Sequence, residues 1–169
     1  YHEVLSLQDQ GLVERIGVSI YQPEELGPLL EGRHFDMVQA PFNILDRRLA
    51  SSGWVERLNG LGCEVHARSV FLQGLLLLPD AMRPPYFERW RSLFSDWDRW
   101  LLDVGLSPLE ACLRYALFTP GIAKLVVGVD GPEQLQQVLA AADGHLPPVP
   151  DQLSCTDPDL LNPARWTRE

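Results

Sequence analysis

Ser19, Gln39, Arg68, Ser69, Gly128 and Asp130 occupy equivalent places in this chain: each lies at or just past the end of a short apolar run, before a loop and a helix start. The pattern is clearest in "RIGVSIYQPEEL" (15–26) and "VVGVDGPEQLQQ" (126–137), which both read Gly-Val, a loop, then Pro-Glu-x-Leu. Proline suits a first helical turn, where the missing N–H costs nothing. The groups delivered are a hydroxyl, a carboxamide, a guanidinium and backbone N–H groups at helix starts. Such groups orient a polar ligand, and helix N-termini favour an anion such as a pyrophosphate. No His, Tyr or Lys falls among them, so acid–base chemistry is not expected from this set. His66, two residues before a strand end, reads as an interior histidine, and His34 as a surface one. Asp46 beside Arg47 and Arg48 reads as a loop ion pair. Cys63, Cys112 and Cys155 lie far apart without a C-x-x-C pair, which argues against a disulfide framework or a zinc site. They are expected as buried free thiols in a reducing cytoplasm.

The elements that must position these residues follow from periodicity. Strands are expected at 13–19, 35–40, 63–69 and 124–129. Each is followed by a helical pattern: 23–30; a segment carrying Leu49, Trp54, Val55 and Leu58; 86–104, with Phe87, Trp90, Phe94, Trp97 and Leu101 on one face; and 132–142. The last of the four strands is preceded by "SPLE" (107–110), a capping box that opens a helix reaching Phe118. Residues 2–10 read as the end of a helix stopped by Gly11. A strand-helix alternation of short apolar strands indicates an α/β fold with a parallel sheet buried on both faces. Four β/α units are half of a closed eight-stranded barrel, which takes about 250 residues. Residues 1–143 are therefore expected to form a partial (β/α)8 TIM barrel, possibly closed by self-association, and 144–169 an extended, proline- and aspartate-rich tail.

Bulk properties exclude several classes. The chain has 169 residues, 46% of them hydrophobic, enough for one domain with a core. Its net charge of −9 repels phosphate backbones and anionic lipid, so nucleic-acid and membrane-surface partners are not expected. The longest apolar run, "GLLLL" (74–78), is far short of the ~20 residues of a membrane span. The start, "YHEVLSLQDQG", lacks the basic and apolar regions of a signal peptide.

Four stretches, in order, carry a family likeness. "GLVERIGVSIYQPEEL" resembles the aldo-keto reductase pattern of Ile-Gly-Val-Ser before a helix. "FDMVQAPFNILDRRL" resembles that family's next strand, with Val-Gln and a Phe-Asn turn. "ARSVFLQGLLL" is similar to its seventh strand and loop, and "KLVVGVDGPEQLQQVL" to its last unit. "LLNPARW" is similar to a tail found in some members.

The resemblance implies the carboxyl-terminal half of a barrel that binds a nicotinamide cofactor, NADPH or NADH, and interconverts a small carbonyl substrate and its alcohol by hydride transfer. It implies that Ser19 and Gln39 orient the nicotinamide carboxamide. Ser69, Phe71, Leu72 and Gly74 are expected along the pyrophosphate, and Gly128, Asp130 and Gln134 near the adenosine phosphate. Arg68 stands where many members place the aromatic that stacks on nicotinamide, and so is counted with the cofactor-binding residues; a guanidinium there also suits a substrate carboxylate. Ile20 and Val138 each replace a common Asn, and Asp130 puts a negative charge where a 2′-phosphate sits, which keeps NADH open beside NADPH. The family's catalytic Asp, Tyr, Lys and His come from the first four strands, which are not in this sequence. No catalytic residue is assigned, the chain alone is expected to be inactive, and cofactor binding by it alone is not implied. The expected partner is the missing amino-terminal half or a second copy of the chain. A non-catalytic half-barrel binding or assembly module, and a nucleotide-binding pseudoenzyme, are the alternatives.

Overall fold

The computed structural model describes residues 1–166. The four strands β1 (Gly17–Ser19), β2 (Met37–Pro41), β3 (Glu64–Arg68) and β4 (Ile122–Leu125) form one parallel sheet in chain order. All carboxyl ends therefore point the same way. The connections carry α1 (His2–Asp9, before β1), α2 (Leu26–Leu30), α3 (Arg48–Ser51), α4 (Trp54–Gly60), α5 (Arg91–Val104), α6 (Pro108–Phe118) and α7 (Pro132–Ala142).

The sheet is covered on one face, not on both. Val38, Ala40, Val65 and Ala67 are buried, with α4 packed against β3 and α6 against β4. Their neighbours Met37, Gln39, Pro41, Glu64, His66 and Arg68 alternate onto the other face and are only half-buried. Side chains of a strand alternate faces with period two, so the second face is the one that closing a barrel turns inward. In this chain it is open.

Two strands are shorter or shifted from the sequence reading. β1 begins at Gly17 because the N–H of Ile16 is taken by the Asp36 carboxylate at 2.7 Å instead of by a neighbouring strand. β4 starts at Ile122, after the left-handed Gly121, whose carbonyl accepts from the Asn59 amide at 3.0 Å. It ends at Leu125, and only the Val126 N–H carries the pairing on, to the Ala67 carbonyl at 2.8 Å. A sheet edge has no second neighbour to hold Val127–Val129 in the ladder.

The helix over Leu49–Leu58 is split into α3 and α4 by Gly53 at φ 77°. The aromatic stripe of Phe87, Trp90, Phe94, Trp97 and Leu101 is buried throughout, although its first turns, Pro85–Trp90, are 3-10 helix before α5 begins. The capping box is present: the Glu110 carboxylate accepts from the Ser107 N–H at 2.9 Å, and the Ser107 hydroxyl accepts from the Glu110 N–H at 3.3 Å. Beyond Gly144 the chain is broken by short helical turns at Asp151–Leu153, α8 (Pro158–Leu161) and Pro163–Arg165. It buries Leu153, Leu160 and Leu161, and pins itself through Cys155 N–H to the Leu45 carbonyl (2.8 Å) and Trp90 Nε1 to Asp157 (3.1 Å). Among the described residues no helix is long and apolar enough to cross a membrane.

Candidate functional site

Polar groups gather at the carboxyl ends of the strands. Ser19 of β1 and Gln39 of β2 are direct partners in the parallel register, and His66 is Gln39's partner on β3. The Ile20 N–H donates to the Gln39 carbonyl at 2.9 Å, which locks the two strand tips together. Ser19 is exposed and its hydroxyl has no hydrogen bond among the described residues. It is not used as a helix cap: the N-cap of the Pro23–Glu25 turn is Gln22, whose N–H donates to the Glu25 carboxylate at 2.8 Å. The Gln39 carboxamide likewise has no partner among the described residues. Both groups remain available to a ligand.

Arg68 ends β3 and spans the tip of β2. Its Nη2 donates to the Ile20 carbonyl at 2.9 Å, its Nη1 to the Ser69 hydroxyl at 3.2 Å, and its guanidinium lies over the Tyr21 ring, 4.8 Å from the centroid. Its Nε is buried without a partner. The residues that follow make a turn of unusual backbone. Ser69, Leu72 and Gln73 all have left-handed φ (57°, 47° and 55°), followed by Gly74 at 84°. A left-handed non-glycine residue costs about 1–2 kcal/mol, so something must hold this turn.

The holder is Asn43, fully buried just beyond β2. Its Nδ2 donates to the Ser69 carbonyl at 3.1 Å, while its Oδ1 accepts from the Leu45 and Asp46 N–H groups at 3.0 and 2.9 Å. Next to it, Asp46 is buried and makes a two-pronged pair with Arg48, at 2.8 Å on each oxygen. That pair raises the Arg48 pKa above its ordinary value, through the hydrogen bond to Asp46 against the opposing effect of burial. The Leu72 N–H closes the turn on the Ser69 carbonyl at 2.9 Å, and the Leu72 side chain is buried. The N–H groups of Phe71, Gln73 and Gly74 donate to nothing among the described residues. Those of Gln73 and Gly74 are successive, and successive free N–H groups in a turn can form a concave anion-binding nest.

This turn forms one wall of a cleft of about 810 Å³. Of the residues singled out from the sequence, Arg68, Ser69, Phe71, Gly74, Gly128, Asp130 and Gln134 line it together. Leu72 lies beneath the turn, and Ser19 and Gln39 lie outside the lining, on the adjoining strand tips of the open face. The opposite wall is the loop after β4 and the first turns of α7, where the Gln134 carboxamide oxygen accepts from the Asp130 N–H at 2.6 Å. Ser107 and Leu109 from the start of α6 and Gln137 and Val138 of α7 complete it. The capping box and the helical spacing Gln134–Gln137–Val138 were the available signals for these. Among the described residues that line the cleft, no histidine, tyrosine or lysine appears.

The remaining titratable groups lie elsewhere. Glu64, at the amino end of β3 on the open face, accepts from His66 (2.9 Å) and Arg15 (2.9 Å) and lies 3.7 Å from Lys124. These hydrogen bonds, that of His66 foremost, hold its pKa down at about 2. His34 is exposed, 3.9 Å from Asp36. Burial pushes the Cys63 thiol up to about 11 and raises Cys112 and Cys155 as well; all three cysteines are free. No cluster of metal-ligating side chains occurs among the described residues.

A parallel β/α sheet with a polar cleft at its carboxyl ends has the arrangement of the ligand-binding β/α folds. The chain belongs to the aldo-keto reductase family: the profile of the Aldo/keto reductase family matches residues 2–150. Among solved structures it resembles the aldo-keto reductase AKR11C1 from Bacillus halodurans, with a TM-score of 0.65 and 21% identity over 88% of this chain for the apo form. The holo form gives a TM-score of 0.62 and 21% identity over 83% of this chain. A thermostable aldo-keto reductase, Tm1743, in complex with the inhibitor epalrestat, gives 0.61 and 20% over 89%. The chain spans about half the length of these structures, covering 51%, 48% and 50% of them. No curated protein matches it. The fold is that of one half of an aldo-keto reductase barrel.

Proposed function

We propose that this chain is the nicotinamide-cofactor-binding half of an oxidoreductase that interconverts a small carbonyl compound and its alcohol. The observation that carries the reading is the Ser69–Gly74 turn: three left-handed non-glycine residues, pinned by Asn43, leave N–H groups without an acceptor among the described residues beside a cleft of about 810 Å³. A cleft of this size falls within the range of about 300–1,000 Å³ that small-molecule and cofactor sites occupy. The donors fit a dinucleotide: a nest of N–H groups for a pyrophosphate, and two unpaired polar side chains at neighbouring strand tips for a carboxamide. When bound, such a cofactor supplies the hydride.

In this reading Ser19 and Gln39 orient the nicotinamide carboxamide, the hydroxyl accepting or donating and the amide doing both. Ser69, Phe71 and Gly74 hold the pyrophosphate, the last two through their N–H groups. Leu72 keeps the turn closed by its own N–H and its buried side chain. Gly128, Asp130 and Gln134 flank the adenosine. The absence of a proton donor among the described lining residues accords with an acid supplied by the rest of a barrel, so this chain alone is inactive. The described part of the tail beyond Gly144 braces the outer helices through Trp90 and Asp157, and Leu161–Ala164 stand beside Arg68 and Ser69 at the strand ends. The closing partner is the other half-barrel, or a second copy, since β1 and β4 each have one free edge.

Titration of the chain with NADH and NADPH, followed by energy transfer from tryptophan to the reduced nicotinamide, tests the reading. Saturable binding, weakened about tenfold in Gln39→Ala (the loss of about 1.4 kcal/mol, one good hydrogen bond), is expected. Absence of saturation with either dinucleotide at millimolar concentration refutes it.

A further inference from the structure

The cleft between the β3 turn and the start of α7 holds little positive charge. Among the described residues that line it, Arg68 is the one cationic side chain. Each terminal nitrogen makes one hydrogen bond, Nη2 to the Ile20 carbonyl at 2.9 Å and Nη1 to the Ser69 hydroxyl at 3.2 Å, and with the guanidinium over the Tyr21 ring these contacts hold the charge at the β3 end of the cleft. The α7 end instead presents Asp130, with Gln134 and Gln137 beside it. The Gln134 carboxamide fixes the backbone of Asp130 by accepting its N–H at 2.6 Å. The Asp130 carboxylate is exposed and makes no hydrogen bond or ion pair among the described residues.

The two nicotinamide dinucleotides differ by one phosphomonoester on the adenosine ribose. At neutral pH such a group carries a charge of about −1.5 to −2. Backbone N–H groups can hold a pyrophosphate, but a dense terminal phosphate is ordinarily met by arginine or lysine. Among the described residues that line the cleft, the one cation is Arg68, held at the β3 end, and the α7 end meets the phosphate with a carboxylate. A ribose that keeps its hydroxyl has the opposite need. It is a hydrogen-bond donor, and a carboxylate with two unused oxygens is its acceptor, the arrangement by which an acidic residue selects the unphosphorylated dinucleotide in other nucleotide-binding folds.

Resting on the cofactor-binding reading above, we infer that this cleft selects the dinucleotide with a free 2′-hydroxyl, and that Asp130 is the residue that sets the selection. It acts twice: it accepts from the ribose and it repels the phosphate. Gln134 serves as a positioning residue, because its hydrogen bond to the Asp130 N–H holds the loop that carries the carboxylate.

The test is the ratio of NADH to NADPH affinity, read by tryptophan energy transfer on the chain and on its Asp130→Asn and Asp130→Arg variants. The site is exposed and its side chain unbonded, so both variants keep the parent's circular dichroism and thermal midpoint. NADH is expected to bind at least tenfold more tightly to the parent. Asp130→Asn reduces the ratio, and Asp130→Arg reduces it at least tenfold, chiefly through a gain for NADPH that fades with added salt. Equal or tighter binding of NADPH by the parent overturns the inference and leaves the cofactor-binding reading intact. So does a ratio unchanged in Asp130→Arg. Binding of neither dinucleotide overturns the cofactor-binding reading, and the inference with it.

Discussion

Replacing Asn43 by alanine removes the pin that sets the Ser69–Gly74 turn. The side chain is fully buried and makes three hydrogen bonds, to the Ser69 carbonyl and from the Leu45 and Asp46 N–H groups, at 3.1, 3.0 and 2.9 Å. Each buried partner left unpaired costs about 1 kcal/mol or more, and the three together about 3 kcal/mol. Against a total stability of about 5–15 kcal/mol for an ordinary domain, that is a large share. In urea, with a slope near 2 kcal/mol/M, the midpoint falls by about 1.5 M. Asn43→Asp divides the effect. It keeps an acceptor for the Leu45 and Asp46 N–H groups but has no donor for the Ser69 carbonyl, and it sets a carboxylate oxygen against that carbonyl. Amide exchange at Phe71, Gln73 and Gly74, measured by NMR, should therefore speed up in both variants, while the Leu45 and Asp46 amides stay protected only in Asn43→Asp. A loss below about 0.5 kcal/mol in both variants, the range of an uninvolved surface position, with unchanged exchange in the turn, refutes the claim that Asn43 holds it.

Other expectations follow from single features. Gln73→Gly, at an exposed position with φ 55°, relieves left-handed strain and should stabilise the chain by about 1 kcal/mol in urea denaturation. Because this replacement keeps every hydrogen bond of the turn, a destabilisation argues that the Gln73 side chain does something the fold does not display. Folding lowers the Glu64 pKa to about 2, below its ordinary 4.5, so the unfolded chain takes up the proton first as the medium becomes acid. The contribution of this carboxylate is present above about pH 4.5 and is lost as pH falls toward 2. The pH dependence of the urea midpoint should flatten across that window in Glu64→Gln. The thiols of Cys63, with its pKa raised to about 11, and of fully buried Cys112 should stay unreactive to a disulfide reagent at pH 8 in the native chain and react on unfolding. Ser107→Ala removes the cap of α6 and should cost about 1 kcal/mol by thermal or chemical denaturation.

The strands and helices were largely legible because their signals are local. Pro108 after Ser107 and before Glu110 announces a helix start from four adjacent residues, and the helix begins there. The spacing of Phe94, Trp97 and Leu101 defines one helical face, and that face is buried. Where the reading slipped, the deciding partner was remote in sequence. β1 is short because Asp36 reaches Ile16, twenty residues away. β4 is displaced because Asn59 holds Gly121 and because, among the described residues, β4 is an edge strand with no further neighbour to support Val127–Val129. The burial of both sheet faces was inferred from apolar content alone, which does not reveal how many strands curl around to meet.

The same division runs through the candidate site. Composition and order placed Ser19, Gln39, Arg68 and Gly128–Asp130 near strand ends, since side-chain type and strand polarity are fixed by the chain itself. Packing decided what each group is free to do. Asn43 enters the sequence reading only as part of a Phe-Asn turn, and folding buries it and turns it into the support of the Ser69 turn. Arg68 looked available to a substrate, and folding gives two of its five N–H groups a further task, tying β3 to the end of β1 and to Ser69. Ser19 is one strand-end hydroxyl among several in the sequence, and folding leaves it without a hydrogen-bond partner among the described residues. A sequence lists donors and acceptors; the fold determines which of them have already found each other, because hydrogen bonds depend on distances that only the closed chain creates.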